Sequence, residues 1–190
     1  MSILVLDNYD SFTFNLVAMV RDLGFSADVF RNNRIDTEHM AIYDRILLSP
    51  GPGIPDEAGI MKQTIRKWGM SKSILGVCLG HQGIAEVYGA RLYNLPNVLH
   101  GITSKLIVSA RVDRLFKGLP QKFEVTHYHS WAIVPDSLPE ELEVTATNPD
   151  GIVMAIAHRE WDVRGVQFHP ESFMTEHGVR LMKNWLIEKE

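Results

Sequence analysis

Hydrophobic and polar positions follow two rhythms along this chain. In the first half, short apolar runs of strand length alternate with stretches of helical spacing. Ile3 to Leu6 is the first strand-like run. The chain then turns through Asp7-Asn8-Tyr9-Asp10 into a helix predicted from about Ser11 to Leu23. Asp10 or Ser11 can cap it, Leu16, Val17, Val20 and Leu23 give it an apolar stripe, and Gly24 ends it. Ala27 to Phe30 and Arg45 to Leu48 read as the next strands, with a weakly helical stretch from Asp36 to Ile42 between them. A helix is predicted from Glu57 to Trp68, with Ile60, Met61, Thr64, Ile65 and Trp68 on its inner face. Ser73-Ile74-Leu75 then reads as a buried strand, and Gly83 to Tyr88 as a helix closed by Gly89.

The second half changes to short strand-like runs: Arg91 to Leu95, Lys105 to Val108, Lys122 to Thr126, Glu143 to Thr147, Ile152 to His158 and Val163 to Phe168. Turn signals at Asn94-Leu95-Pro96-Asn97, Lys117-Gly118-Leu119-Pro120 and Asn148-Pro149-Asp150-Gly151 separate several of them. A closing amphipathic helix, about Glu176 to Glu188, places Val179, Met182, Trp185 and Leu186 on one side. The pattern implies an α/β fold: a mostly parallel central sheet with helices on both faces, and an antiparallel portion in the C-terminal half. No linker or repeat interrupts it, so one domain over residues 1–190 is expected. In such sheets ligands bind outside the carboxyl ends of the strands, where Asp7-Asn8-Tyr9, Ser49-Pro50-Gly51-Pro52-Gly53 and Cys78 each fall.

Composition narrows the class. A hydrophobic content of 45% in 190 residues suits a soluble globular chain, and a net charge of −4 with interspersed signs offers no nucleic-acid footprint or polybasic membrane patch. The longest apolar runs fall short of the roughly 18 residues of a membrane-spanning helix. The N-terminus lacks the basic start of a signal peptide. A single cysteine excludes an intramolecular disulfide framework and fits a reducing cytoplasm.

That cysteine sits in Gly76-Val77-Cys78-Leu79-Gly80-His81-Gln82, on a tight turn between a strand and a helix. This is the nucleophile-elbow pattern with sulfur in place of oxygen, where flanking glycines let the backbone bend without a Cβ clash. A thiol at a helix N-terminus meets the positive end of the macrodipole and free N–H groups, which favour the nucleophilic thiolate. The Leu79 N–H points where an oxyanion forms, and one such donor contributes roughly 3–4 kcal/mol to a transition state. A thiolate needs a base, and Gly165-Val166-Gln167-Phe168-His169-Pro170-Glu171-Ser172 supplies one: residues two apart in an extended chain share a side, so Glu171 can orient His169. The expected triad is Cys78, His169 and Glu171. His127 and His129, two apart near Tyr128-His129-Ser130-Trp131, lack the carboxylate or cysteine company of a metal site; His81 and His129 read as structural.

Five ordered motifs carry a resemblance over nearly the whole length: Asp7-Asn8-Tyr9-Asp10-Ser11-Phe12-Thr13, Leu48-Ser49-Pro50-Gly51-Pro52-Gly53, the elbow, Tyr128-His129-Ser130, and Gly165 to Ser172. The chain resembles the class I glutamine amidotransferases, most of all the glutaminase subunits of anthranilate synthase and of aminodeoxychorismate synthase. The resemblance implies that Gly51, Pro52 and Gly53 line a glutamine pocket, with the Gly53 N–H as second oxyanion donor beside that of Leu79. It also implies that the backbone of Ser130 and Trp131 and the side chain of Gln82 hold the α-amino and α-carboxylate end of L-glutamine. The chain departs from the family pattern at Trp131, where leucine is usual, at His127, where arginine is usual, and at Gly83, where alanine is usual.

The implied activity is hydrolysis of glutamine to glutamate and ammonia through a Cys78 thioester, with no metal or organic cofactor. The implied partner is a separate chorismate-binding synthase large subunit that takes the ammonia, anthranilate synthase in the first place and aminodeoxychorismate synthase, or both, as the alternative. Its docking face is expected around the site mouth, including Asn8-Tyr9-Asp10-Ser11 and the loop after Gly53. A free-standing cysteine hydrolase is the rival class, and activity on amides other than glutamine distinguishes it.

Overall fold

A computed structural model describes residues 1–109, 111 and 113–187. Among these, nine strands join in one sheet: β1 (Ile3–Asp7), β2 (Ala27–Arg31), β3 (Arg45–Leu48), β4 (Ser73–Val77), β5 (Leu92–Val108), β6 (Lys122–Ile133), β7 (Leu142–Thr147), β8 (Val153–His158) and β9 (Val163–Val166). Four α-helices accompany them: α1 (Thr13–Asp22), α2 (Met61–Trp68), α3 (Leu79–Val87) and α4 (Gly178–Ile187). The expected end of the closing helix at Glu188 lies outside the described residues. The spatial order is β2-β1-β3-β4-β9-β8-β7-β5-β6. The first five run parallel, and β8, β7, β5 and β6 pair antiparallel. The parallel half with its appended antiparallel half matches the α/β expectation.

Alternation along each central strand divides the core in two. Ile3 and Val5 of β1, Leu47 of β3 and Leu75 and Val77 of β4 face a cluster with Leu16, Val17 and Val20 of α1 and Leu181, Met182, Trp185 and Leu186 of α4. Leu4, Leu6, Ile46, Leu48 and Ile74 face the other cluster, with Met61 and Ile65 of α2 and Ile84 and Ala85 of α3. Helices therefore cover both faces, which is what strands buried on both sides require. Among the described residues, no helix is long and apolar enough to cross a membrane.

Four local expectations give way to tertiary demands. The helix predicted from Glu57 breaks: Pro55–Glu57 is a 3₁₀ turn, Gly59 takes φ 53°, and α2 begins at Met61 because Ile60 donates its N–H to Asn32 beyond the end of β2. At α1 the N-cap position is Phe12, whose N–H the Asp10 carboxylate accepts at 2.7 Å, and Asp7 Oδ1 anchors the turn before it by accepting from the N–H groups of Tyr9 and Asp10 and the hydroxyl of Thr13. The runs at 91–95 and 105–108 belong to one strand, β5, paired with β6 across irregularities between Asn94 and Leu99 and between His100 and Ile102. Pro96 falls inside the first of these, where the ladder does not need the N–H that proline lacks. Val179 of α4 is 57% exposed, and Leu181 takes its expected place in the core.

Candidate active site

The chain leaves β4 at Val77 and enters α3 at Leu79, so the whole reversal rests on Cys78. Cys78 adopts φ 52°, ψ −99°, a conformation an L residue holds only at a cost of order 1–3 kcal/mol. The bend is thus carried by the cysteine itself, and the glycines around it provide room. A Cβ on Gly76 would lie 2.4 Å from the backbone carbon of Gly80, and a Cβ on Gly80 would lie 2.7 Å from the carbonyl oxygen of Leu48. Cys78 donates its N–H to Val166 at 2.8 Å, which ties the elbow to β9. The thiol is free and buried at the N-terminus of α3.

Because β4 and β9 are parallel neighbours with Val77 opposite Val166, residues following the two strands emerge side by side. His169 is fixed there by its N–H to Thr126 (3.1 Å) and by the Thr175 hydroxyl on its carbonyl (2.7 Å). Its Nδ1 meets Glu171 Oε1 at 2.6 Å, with side chains 2% and 1% exposed. The pair forms as expected, but by another route: β9 ends at Val166, and residues 170–171 form a turn that the Ser172 N–H closes onto the His169 carbonyl. A turn, not strand alternation, brings the two side chains together. Burial alone would lower the His169 pKa; Cys78 and Glu171 outweigh it and raise it to about 10, so the ring is an imidazolium at neutral pH. The rings of Tyr128 and Phe12 stand edge-on to His169, with centroids 5.1 and 5.8 Å away.

Beside Cys78 lies a cavity of about 160 Å³ lined by Gly51, Pro52, Gly53, Gln82, Tyr128, His129, Ser130 and Trp131 as well as the cysteine. Of the residues expected to hold substrate, only Leu79 is missing; with Pro52 and Gly53 it lines a second cavity of about 340 Å³. Gly53 takes φ 73°, which a side chain would oppose. Gln82 Nε2 donates to the Trp131 carbonyl (3.0 Å) and to Gln167 Oε1 (3.2 Å). A larger cavity, about 670 Å³ around Phe30, Arg34 and Tyr43, contains none of these residues.

The sequence pointed to several neighbours without assigning them a role. Gln167 is fully buried and its Nε2 lies 3.6 Å from the Cys78 sulfur; its place two residues before His169 was the available signal. Asn8, expected on a docking face, is instead 2% exposed. It accepts from Asn32, donates to the carbonyl of Ser49, and its N–H bonds the Ser49 hydroxyl, so it braces the loop that carries Gly51 to Gly53. Tyr9 beside it is the exposed residue, at 44%. His81 is fully buried and lowered to about 3, first by burial, so it is a neutral core histidine. The rings of His127 and His129 hydrogen-bond each other at 3.3 Å.

Comparison with known proteins locates the chain. The family model for class I glutamine amidotransferases matches residues 4–189. An anthranilate synthase component 2 from Mycobacterium tuberculosis is 46% identical over 191 residues, spanning 98% of this chain and 82% of the relative. An aminodeoxychorismate synthase component 2 from Escherichia coli is 43% identical over 186 residues, covering 97% of this chain and 98% of the relative. Among solved structures, a Thermoplasma acidophilum protein provisionally assigned as one subunit of a GMP synthase superposes with a TM-score of 0.88 at 27% identity, covering 98% of this chain and 92% of the other.

Proposed function

Since the chain belongs to the class I glutamine amidotransferase family, we propose that it hydrolyses the side-chain amide of L-glutamine at Cys78 and passes the ammonia to a chorismate-using synthase partner. The observation that carries the chemistry is the buried ion pair of His169 with Glu171 at 2.6 Å, in which Cys78 and Glu171 raise the His169 pKa, while Cys78 itself lines a cavity with Gly51 to Gly53, Ser130 and Trp131. Glutamine enters with its α-groups toward Ser130, Trp131 and Gln82 and its amide toward Cys78. The thiolate attacks the amide carbon, and the N–H groups of Leu79 and Gly53 take the charge of the oxyanion. His169 gives its proton to the departing nitrogen, so ammonia leaves and a thioester stays on Cys78. Water then attacks the thioester as neutral His169 removes its proton, and a second oxyanion collapses to glutamate and the resting pair.

Ammonia set free in neutral water becomes ammonium, which is no nucleophile, so its use calls for a closely docked acceptor. The names of the two component 2 relatives support a synthase partner of either the anthranilate or the aminodeoxychorismate kind. Identity does not choose between them, since relatives of both kinds reach 46%, and one chain serving both is consistent with that. Purified chain, alone and mixed with each synthase large subunit plus chorismate, tests the reading. Glutamate release that rises with a partner and vanishes in Cys78→Ser, while added ammonium still sustains product, is the expected result. Full glutaminase activity in Cys78→Ser overturns the mechanism, and hydrolysis of unrelated amides with no response to either partner points to the free-standing hydrolase instead.

A further inference from the structure

Three side chains that the mechanism leaves unused form a line into the pocket wall. Ser104 Oγ lies 2.7 Å from His127 Nε2, His127 Nδ1 lies 3.3 Å from His129 Nε2, and His129 Nδ1 lies 2.9 Å from the carbonyl oxygen of Trp131. The sheet builds the line. Ser104 of β5 pairs with Val125 of β6, and His127 and His129 follow Val125 at steps of two, so all four project to one side of the strand pair.

Proton positions along the line are forced from its inner end. A carbonyl oxygen only accepts, so His129 Nδ1 must carry hydrogen and donate. In a neutral ring His129 Nε2 then has no hydrogen and must accept, which places the hydrogen of His127 on Nδ1. His127 Nε2 is left as an acceptor, and the Ser104 hydroxyl satisfies it. Both rings are neutral at ordinary pH: burial first, then His129 and the charge of His169, lower His127 to about 4, and burial first, with the charge of His169, lowers His129 to about 4. His127 is fully buried and His129 is 5% exposed, so water does not compete for these bonds. The Trp131 oxygen also accepts from Gln82, so both its lone pairs are engaged.

We propose that Ser104, His127 and His129 form a one-way hydrogen-bond relay that locks the Trp131 carbonyl and so positions the Ser130–Trp131 backbone for the α-groups of the amino-acid substrate. The proposal rests on the reading of the 160 Å³ cavity as the glutamine pocket. His127 and His129 act as positioning residues, since neither touches the reacting amide. The relay explains why a donor, and not merely an apolar filler, is needed at position 127: without it His129 is free to turn or to change tautomer, and the carbonyl loses one of its two donors.

Two measurements decide it. Long-range ¹⁵N–¹H correlation spectra of the purified chain read the tautomer of each ring, and the relay requires the Nδ1–H form at both His127 and His129, the less common form of imidazole in water. An Nε2–H tautomer at either ring overturns it. Glutamine affinity, read without a partner as protection of Cys78 from alkylation by iodoacetamide, is then compared in His127→Gln, whose amide can still donate to His129, and in His127→Leu, which fills the space and cannot. The expected order is wild type and His127→Gln together, with His127→Leu weaker by about tenfold, the scale of one lost hydrogen bond to a buried group. Unprotected alkylation rates should be equal in all three, because the thiol and His169 are untouched. Leucine equal to or better than glutamine would mean that the site needs only packing, and the positioning role fails. If glutamine gives no protection even in wild type, the pocket reading and the positioning role fail with it, while the tautomers still decide whether the relay exists.

Discussion

Replacing Glu171 by glutamine removes one charge from the buried pair while keeping an oxygen that can accept from His169 Nδ1. The rise of His169 from 6.5 to about 10 is the net of burial, which lowers it, and of Cys78 and Glu171, which raise it. At 1.36 kcal/mol per pH unit this net favours the imidazolium by roughly 5 kcal/mol. If the carboxylate supplies about half, the variant loses roughly 2 kcal/mol, and kcat/KM for glutamine hydrolysis falls on the order of thirtyfold. The pH profile is the sharper readout. In the proposed mechanism His169 gives a proton to the departing nitrogen, so wild-type activity is expected to fall on the alkaline side near 10 and the limb of Glu171→Gln to move down by about 1–2 pH units. Stability carries the same sign. A folded pKa above the unfolded one stabilises fully below pH 6.5, and that contribution is lost as pH rises through about 10; the variant loses it at lower pH. An unmoved alkaline limb, with kcat/KM within about threefold of wild type, would refute the reasoning, because Glu171 would then be only a spacer.

Two further perturbations test how the scaffold holds the site. Gly76→Ala forces a Cβ to within 2.4 Å of the Gly80 backbone, which no rotamer change relieves; a loss of about 3 kcal/mol and a Tm lower by roughly 6–12 °C in thermal denaturation are expected, and an unchanged Tm would show that the elbow opens freely. Asn8→Leu strands the Ser49 carbonyl and the Asn32 amide in a buried setting, at about 1–3 kcal/mol, and slackens the support of Gly51, where an added Cβ would lie 2.7 Å from Asn8. Its kcat for glutamine should drop about tenfold with a smaller change in KM, since the loop carries the proposed oxyanion donor Gly53; equal losses in both would assign Asn8 to substrate binding instead.

Much of this site was legible in the chain because its parts are local. A cysteine between glycines after an apolar run, a histidine two residues before a glutamate, and a proline- and glycine-rich loop after a strand are each defined within a few residues, and each lies at the carboxyl end of its strand. The elements followed for the same reason: Leu16, Val17 and Val20, or Ile46 and Leu48, reveal their faces through spacing alone. Misread stretches had local signals overruled by distant ones. Pro96 and its neighbours read as a turn, yet β6 supplies enough pairing on both sides to carry one strand through two irregularities. Asp7 shares with Asp10 the anchoring of α1, and Asn32 stops the helix predicted from Glu57 short of its start.

Residue order and spacing were enough for the α/β alternation, the position of the thiol on its turn, and the histidine and carboxylate that accompany it. Folding in three dimensions supplied the rest. That β4 lies beside β9, so that Cys78 and His169 emerge as neighbours, is a matter of sheet order. That Asn8 is a buried brace depends on β1 and β3 being paired. That His127 and His129 point at each other and at the Trp131 carbonyl depends on the register of β6 against β5. Spacing along a chain fixes which side chains share a face, but hydrogen bonds and ion pairs act over about 3 Å, and only the folded sheet brings residues far apart in sequence within that distance.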